Sequence, residues 1–202
     1  MPARRIDLNA DLGESFGIYT LGDDRSLLPS LTSANIAAGF HAGDPSVIRQ
    51  TIRLARSHGV AIGAHPAFPD LAGFGRRDMG MAPNDVEDAV LYQIASVAGI
   101  ARAEGTSIQH VKPHGALYNL ACRDERLAQA VVRALTAYDA RLLLYAPPGS
   151  ALARAGHQAG IAVIREGFVD RAYEGDGRLR SREAAGAMIL DNQTVSERAV
   201  GL

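Results

Sequence analysis

Asn9, Asp11, His41, His65, Lys112 and His114 each fall where a short, partly apolar stretch runs out into turn or helix chemistry. Asp11 and the nearby Glu14 supply two carboxylates, the pair that general base and acid catalysis needs when their surroundings push their pKa values apart. His41 and His65 with Asp11 are a carboxylate–imidazole set able to ligate a divalent metal with open positions, although the spacing matches no metal fingerprint of the HExxH kind. Structural or metal-free catalytic histidines would look the same in sequence. Lys112 stands between His110 and His114 and is the only lysine beside twenty arginines. Base composition replaces generic surface lysines by arginine at little physical cost. A retained ammonium therefore points to work that the planar guanidinium does badly, such as point donation from a buried position. Ser and Cys nucleophiles lack support: there is no GxSxG, and Cys122 has no motif around it.

The elements that must carry these residues follow from periodicity. In residues 6–14 (IDLNADLGE), Ile6, Leu8, Ala10 and Leu12 alternate with Asp7, Asn9, Asp11 and Gly13, the two-residue period of a strand with one wet face. A half-exposed edge strand would look the same, but the pattern recurs. Ser33, Asn35 and His41 alternate with Ala34, Ile36, Ala38 and Phe40; Gly63 and His65 with Ile62 and Ala64; His110, Lys112 and His114 share one parity. Strands are expected at residues 6–14, 33–39, 60–64, 108–112, 142–146 and 161–166. Helices are expected from Asp44 and Pro45 to Gly59, from Pro83 to about Gly105, over 125–138 and 150–159, and from Asn192 to Leu202. Residues 65–83, rich in Gly and Pro, read as a functional loop or lid.

Strands followed by helices in order, without internal repeat, predict an α/β fold with a parallel sheet and its site beyond the carboxyl ends of the strands. Polar residues on one parity favour a barrel with a polar lumen over a doubly wound sheet. The latter would usually carry a glycine-rich phosphate loop, and ADLGESFG is neither a dinucleotide fingerprint nor a P-loop. One domain over residues 1–202 is expected from length and uniform composition. A net charge of −1 gives no electrostatic case for nucleic acid or an anionic membrane. The single cysteine excludes an internal disulfide, no apolar run reaches a membrane span, and MPARR leads into no apolar signal core; a cytoplasmic enzyme is expected.

The blocks IDLNADLGESFG, SANIAAGFHAGDP, VAIGAHPAFPDLAGFGRR, HVKPHGALYN and DRAYEGDGRL, in that order, resemble the LamB/YcsF family, whose members are identified as the A subunit of bacterial ATP-dependent 5-oxoprolinase. The resemblance implies a TIM-like (β/α) barrel of the glycoside hydrolase/deacetylase type. It also implies ATP-dependent opening of 5-oxo-L-proline to L-glutamate together with subunits B and C, with ATP bound with or by those partners. A homo-oligomer is compatible with it. No catalytic set comes with the resemblance, so the expected site is the strand-end polar residues inside its blocks. Asp11, Glu14, Lys112 and His114 are the catalytic candidates. Asn9, Asn35, His41, His65, Arg77, Glu166, Asp170 and Arg171 are the substrate-binding candidates, Arg77 or Arg171 for the carboxylate. Ala38 stands where the family pattern leads one to expect cysteine, and Ala67 where it leads one to expect glycine. A CVHGDTP-like block expected further on is missing up to Leu202, so the barrel is expected to be incomplete by its last strand. Two other functions fit the same residues: a metal-dependent deacetylase or amidohydrolase acting on an N-acylated sugar, and a non-catalytic lactam- or sugar-binding protein.

Overall fold

Strand order decides on which side of the sheet the helices lie. In the computed structural model, which describes residues 6–201, six strands pair in the order β1 (Asn9–Leu12), β2 (Ser33–Ala37), β3 (Ala61–His65), β4 (His110–Val111), β5 (Leu143–Ala146) and β6 (Val163–Arg165), every neighbouring pair parallel. Spatial order equals sequence order, so right-handed crossovers put every helix on one face and leave the other to a lumen. A doubly wound sheet reverses its order partway, and this one does not.

Side-chain contacts measure the curl. Neighbouring strands lie about 4.8 Å apart, which in a flat sheet would put β1 and β5 about 19 Å from each other. Instead the Tyr145 hydroxyl on β5 donates to Asp7, just ahead of β1, at 2.8 Å, and Lys112 Nζ beyond β4 donates to Asn9 on β1 at 3.1 Å. Only a tightly rolled sheet allows this, and these strands form an incomplete (β/α) barrel. The register puts Asn9 beside Ser33, Asp11 beside Asn35, Asn35 beside Gly63, and Gly63 beside His110.

The outer layer comprises α2 (Pro45–Ser57), α3 (Pro83–Ala103), α5 (Glu125–Asp139) and α6 (Ala151–Gln158), preceded by the short α1 (Asp24–Leu27), with α4 (Gly115–Ala121) between β4 and α5. Asp44 caps α2 by accepting from the Ser46 and Val47 amides, and Pro45 follows as its first residue; Ile48, Ile52 and Ala55 face the core. Val86, Val90, Ile94 and Val97 of α3, and Val131 and Leu135 of α5, are buried against Ile62, Ala64, Val111 and Leu144 of the strands. Arg53 Nε donates to Glu104 at 2.8 Å, Arg49 pairs with the same carboxylate, and Arg56 donates to the Glu104 carbonyl, tying α2 to the end of α3.

Several boundaries differ from expectation. β1 begins at Asn9 rather than Ile6. β2 ends at Ala37, so His41 lies on the following turn rather than continuing the strand parity. His65 closes β3 instead of following it. β4 is shorter than expected, although Gln109 and Lys112 still donate to Ile62 and Ala64 across the ladder; Pro113 has no amide to extend it. Helix α4 has no counterpart among the expected elements, and the end of α7 (Asn192–Val200) falls short of Leu202, which with residues 1–5 lies outside the described residues.

By compactness the chain falls into two units, one ending at Arg165 and one beginning at Glu166. The second carries short bridges, Arg171 with Met188 and Tyr173 with Leu179, and α7, capped by Asp191 accepting from the Thr194 amide at 2.8 Å. Within it Arg171 donates to the Arg180 carbonyl at 2.7 Å and the Asp170 carbonyl accepts from the Ile189 amide at 2.8 Å. Among the described residues no helix is long and apolar enough to cross a membrane.

Candidate active site

The lumen holds two polar layers that meet at Asp11. In the lower layer Asp7 accepts from Ser33, Thr32 and Tyr145. The His110 ring stacks on Tyr145 with centroids 4.4 Å apart and planes 9° from parallel, and its Nε2 donates to Asn35 Oδ1 at 2.8 Å. The Asn35 amide in turn donates to Asn9 at 2.7 Å and to Asp11 Oδ1 at 3.0 Å. Lys112, 5% exposed, sets its ammonium 3.1 Å from Asn9 and 3.3 Å from Asp11 Oδ1. Burial holds His110 neutral, its pKa pulled down to about 4. This histidine shares the lumen parity of Lys112 but is not among the expected site residues. The signal that could have found it is Gly63, its neighbour in register, where any Cβ would fall 2.1 Å from the His110 ring.

The upper layer lies at the carboxyl ends of the strands and contains Glu14, His41, His65 and His114, whose potential ligating atoms all lie within 4.8 Å of one another. His65 and His41 are fully buried. His65 Nδ1 donates to the Lys112 carbonyl at 2.6 Å, which leaves Nε2 facing Asp11 Oδ2 at 3.3 Å and His114 Nδ1 at 3.0 Å. His114 Nε2 donates to the Phe74 carbonyl at 2.9 Å. His41 stacks on His114 with centroids 3.8 Å apart, and its Nε2 lies 3.2 Å from Glu14.

Loop 66–82 forms the roof. Gln93 on α3 anchors its start by bonding both the amide and the carbonyl of Ala67 at 2.9 Å. Asp70 braces its middle, accepting from the Gly73 amide and from Arg77. Phe74 packs edge-on against His41 and His114 and adopts φ 55°, a left-handed conformation that is rare for an aromatic residue. Strain of this kind survives where the surroundings over-determine it, here where the Phe74 carbonyl fixes the His114 tautomer. No sequence signal marks Phe74. Gly75 follows with φ 65°, and a Cβ there would lie 2.8 Å from His41 and 2.9 Å from His114.

The electrostatics differ sharply between the two carboxylates. Desolvation works to raise Asp11, but His65, Lys112 and His114 beside it hold its carboxyl well below the ordinary value. Desolvation pushes Glu14 up, and Asp11 adds to that against the opposing pull of His65. Burial, reinforced by His65, brings His41 down to about 3 and His114 to about 2, so both imidazoles are neutral near pH 7.

Of the expected residues, Asn9, Asp11, Glu14, Asn35, His41, His65, Lys112 and His114 come together in this lumen. Arg77 does not: its guanidinium is spent on Asp70 inside the loop. Arg76, one residue earlier, lies over the Phe74 ring at 4.9 Å and acts on the charges of Glu14 and His41. Glu166, Asp170 and Arg171 belong to the second unit.

Comparison with known proteins places this architecture among relatives. The family model described as LamB/YcsF family matches residues 6–202. The chain is 55% identical over 201 residues to the 5-oxoprolinase A subunit of Symbiobacterium thermophilum, covering 100% of this chain and 77% of that protein. It is 54% identical to the protein of the same name from Methylococcus capsulatus, covering 99% and 77%. Among solved structures, the lactam utilization protein from Thermus thermophilus superposes with a TM-score of 0.94 at 47% identity, covering 98% of this chain and 80% of that one.

Proposed function

The chain belongs to the LamB/YcsF family, and from that footing we propose that it is the A subunit of an ATP-dependent 5-oxoprolinase that opens 5-oxo-L-proline to L-glutamate together with subunits B and C. The observation that carries the reading is the identity of 54–55% with proteins of that name over essentially the whole chain, combined with a polar lumen at the strand ends.

Ring opening adds water across the lactam amide: hydroxyl to the carbonyl carbon, proton to the ring nitrogen. The cyclic amide is a poor electrophile, and hydrolysis of ATP to ADP and phosphate supplies the driving force. This chain has no glycine-rich phosphate loop, so the nucleotide is assigned to the partner subunits, in the cytoplasm. Asp11, ionised and with 36% of its side chain open to solvent, acts as the base toward the attacking water. Lys112, anchored by Asn9 and Asp11, donates to the charge that develops on the lactam oxygen. The same role does not pass to His114, whose Nε2–H is committed to Phe74 and whose Nδ1 offers a lone pair. Arg76 replaces Arg77 as the guanidinium for the substrate carboxylate.

A second reading, a metal-dependent amidohydrolase or deacetylase acting on an N-acylated sugar, draws on the Glu14, His41, His65 and His114 group. A 5-oxoproline turnover assay with ATP, on this chain alone and with subunits B and C, separates them. Turnover only in the complex is expected. ATP-independent amide cleavage by the isolated chain would overturn the oxoprolinase reading in favour of the second.

A further inference from the structure

The hydrogen bonds of the upper layer over-determine the imidazole tautomers. A backbone carbonyl can only accept, so His65 carries its proton on Nδ1 toward Lys112 and His114 carries its proton on Nε2 toward Phe74. The remaining nitrogens, His65 Nε2 and His114 Nδ1, are then both lone pairs, and they face each other at 3.0 Å. Two acceptors at that distance repel unless something positive lies between or beside them. Two carboxylates add to the demand: Asp11 Oδ2 is 3.3 Å from His65 Nε2, and Glu14 Oε1 is 3.7 Å from His114 Nδ1. Lys112 answers the first of these through Asp11 Oδ1.

We propose that Glu14, His65 and His114 bind a divalent transition-metal ion of the zinc type, with His41 orienting Glu14 and a fourth position left open. Metal–ligand bonds of about 2.0–2.1 Å in a tetrahedral shell space the ligand atoms about 3.3–3.4 Å apart. The observed 3.0 Å between the two imidazole nitrogens and 3.7 Å from His114 to Glu14 bracket that value. The outer bonds also fit, since each imidazole that ligates a metal usually donates its other N–H to a carbonyl or carboxylate. The carbonyls of Lys112 and Phe74 fill that role here, the second by way of the strained Phe74 backbone.

His41 is assigned outside the shell by the same tautomer reasoning. Its Nδ1 is buried with no hydrogen-bond partner among the described residues. Placing the proton there would bury an unsatisfied N–H, whereas placing it on Nε2 lets it donate to Glu14 at 3.2 Å. The resulting set of two histidines and one glutamate with an open site is that of hydrolytic zinc centres, and it differs from the Asp11, His41 and His65 grouping expected from sequence. Asp11 Oδ2 stands beside the open position, where it can take the proton of a water acidified by the ion. That use in ring opening rests on the oxoprolinase reading; the binding of the ion does not.

The test is titration of the chelator-treated full chain with Co²⁺ and Zn²⁺, followed by calorimetry and by cobalt visible absorption. One equivalent of Co²⁺ should bind with tetrahedral d–d bands. His65→Ala, His114→Ala and Glu14→Gln should each weaken it at least about 100-fold, and His41→Asn about 10–100-fold, the effect of losing an outer-layer partner. Circular dichroism and melting temperature establish that each variant is folded; Glu14→Gln, which keeps the shape of the side chain, decides if a histidine variant unfolds. Absence of stoichiometric uptake by folded wild type overturns the inference, as does uptake unchanged in Glu14→Gln. It is equally overturned if imidazole ¹⁵N spectra show a proton shared by His65 and His114 that persists with one equivalent of Zn²⁺. No ATP or oxoproline enters these measurements. Ion binding without turnover would therefore leave the site standing and remove the oxoprolinase reading, and turnover without ion binding would do the reverse.

Discussion

Gly63→Ala tests the lower layer of the lumen, because its expected effect depends on one ring. In an ordinary strand the change should stabilise by about 0.4–1 kcal/mol, since alanine restricts the unfolded chain and Gly63 is not among the left-handed glycines. Here the new methyl would lie 2.1 Å from His110 Nε2 and 2.2 Å from Cδ2. The ring cannot simply swing away, because it is stacked on Tyr145 and bonded to Asn35. Overpacking of this kind costs about 1–3 kcal/mol. Breaking the His110–Asn35 bond leaves buried polar groups unmatched for about 1–3 kcal/mol more. Less the backbone gain, the net loss should be about 3–5 kcal/mol, which for a chain of 202 residues lowers the melting temperature by about 10–15 °C. Urea unfolding followed by circular dichroism measures it. On a His110→Ala background the same substitution should cost less than about 1 kcal/mol. A Gly63→Ala chain as stable as wild type, or one whose loss is the same with and without the His110 ring, would refute the packing argument.

Lys112→Ala should cost about 2.7–4 kcal/mol of transition-state stabilisation in the reconstituted complex, the scale of one lost oxyanion donor, and Lys112→Arg should restore little. An active Lys112→Arg complex removes the residue from the site. Gly75→Ala should lower the melting temperature and abolish most turnover together, because its φ of 65° is strained for alanine and its methyl would meet His41 and His114; retained turnover would place the roof elsewhere. Glu104 is held down to about 2 from 4.5 by Arg53 and Arg49, so the ionised form is the one the fold favours. The stability advantage of wild type over Glu104→Gln should be complete above about pH 4.5 and shrink as pH falls toward 2, followed by thermal melts across that range. An advantage that instead grew on acidification would contradict the Arg–Glu clamp.

Legibility in the sequence tracks how local the cause is. Alternation of Asn9, Asp11 and Leu12, or of Asn35 and Ile36, is a property of each strand alone, so the six strands and the polar parity of the lumen can be read directly. Helix α4 escapes because seven residues directly after a proline turn leave little periodicity, although Leu117, Tyr118 and Ala121 do fall on one buried face. Sequence alone makes Arg77 a substrate ligand and passes over Arg76. Adjacent arginines in a loop differ only in what the folded loop offers them, here Asp70 for one and Phe74 for the other. Phe74 and His110 matter through contacts across the barrel, and nothing near them in sequence records those contacts.

The two layers divide the work at Asp11. Its Oδ1 is held from below by Asn35 and Lys112, which are fixed in turn by Asn9 and by the His110–Tyr145 stack, while its Oδ2 faces His65 in the upper layer. A carboxylate gripped on one oxygen keeps the other aimed, so the lower layer sets the direction of the base without touching substrate. The same grip explains why Asp11 stays ionised while Glu14, lacking a lysine and placed against imidazoles that burial keeps neutral, is pushed the other way. Separation of the two carboxylates is thus a consequence of where the only lysine of the chain sits. Arginine at position 112 would carry the charge but not its compact reach to both Asn9 and Asp11, which accounts physically for a lone lysine in a chain that otherwise uses arginine.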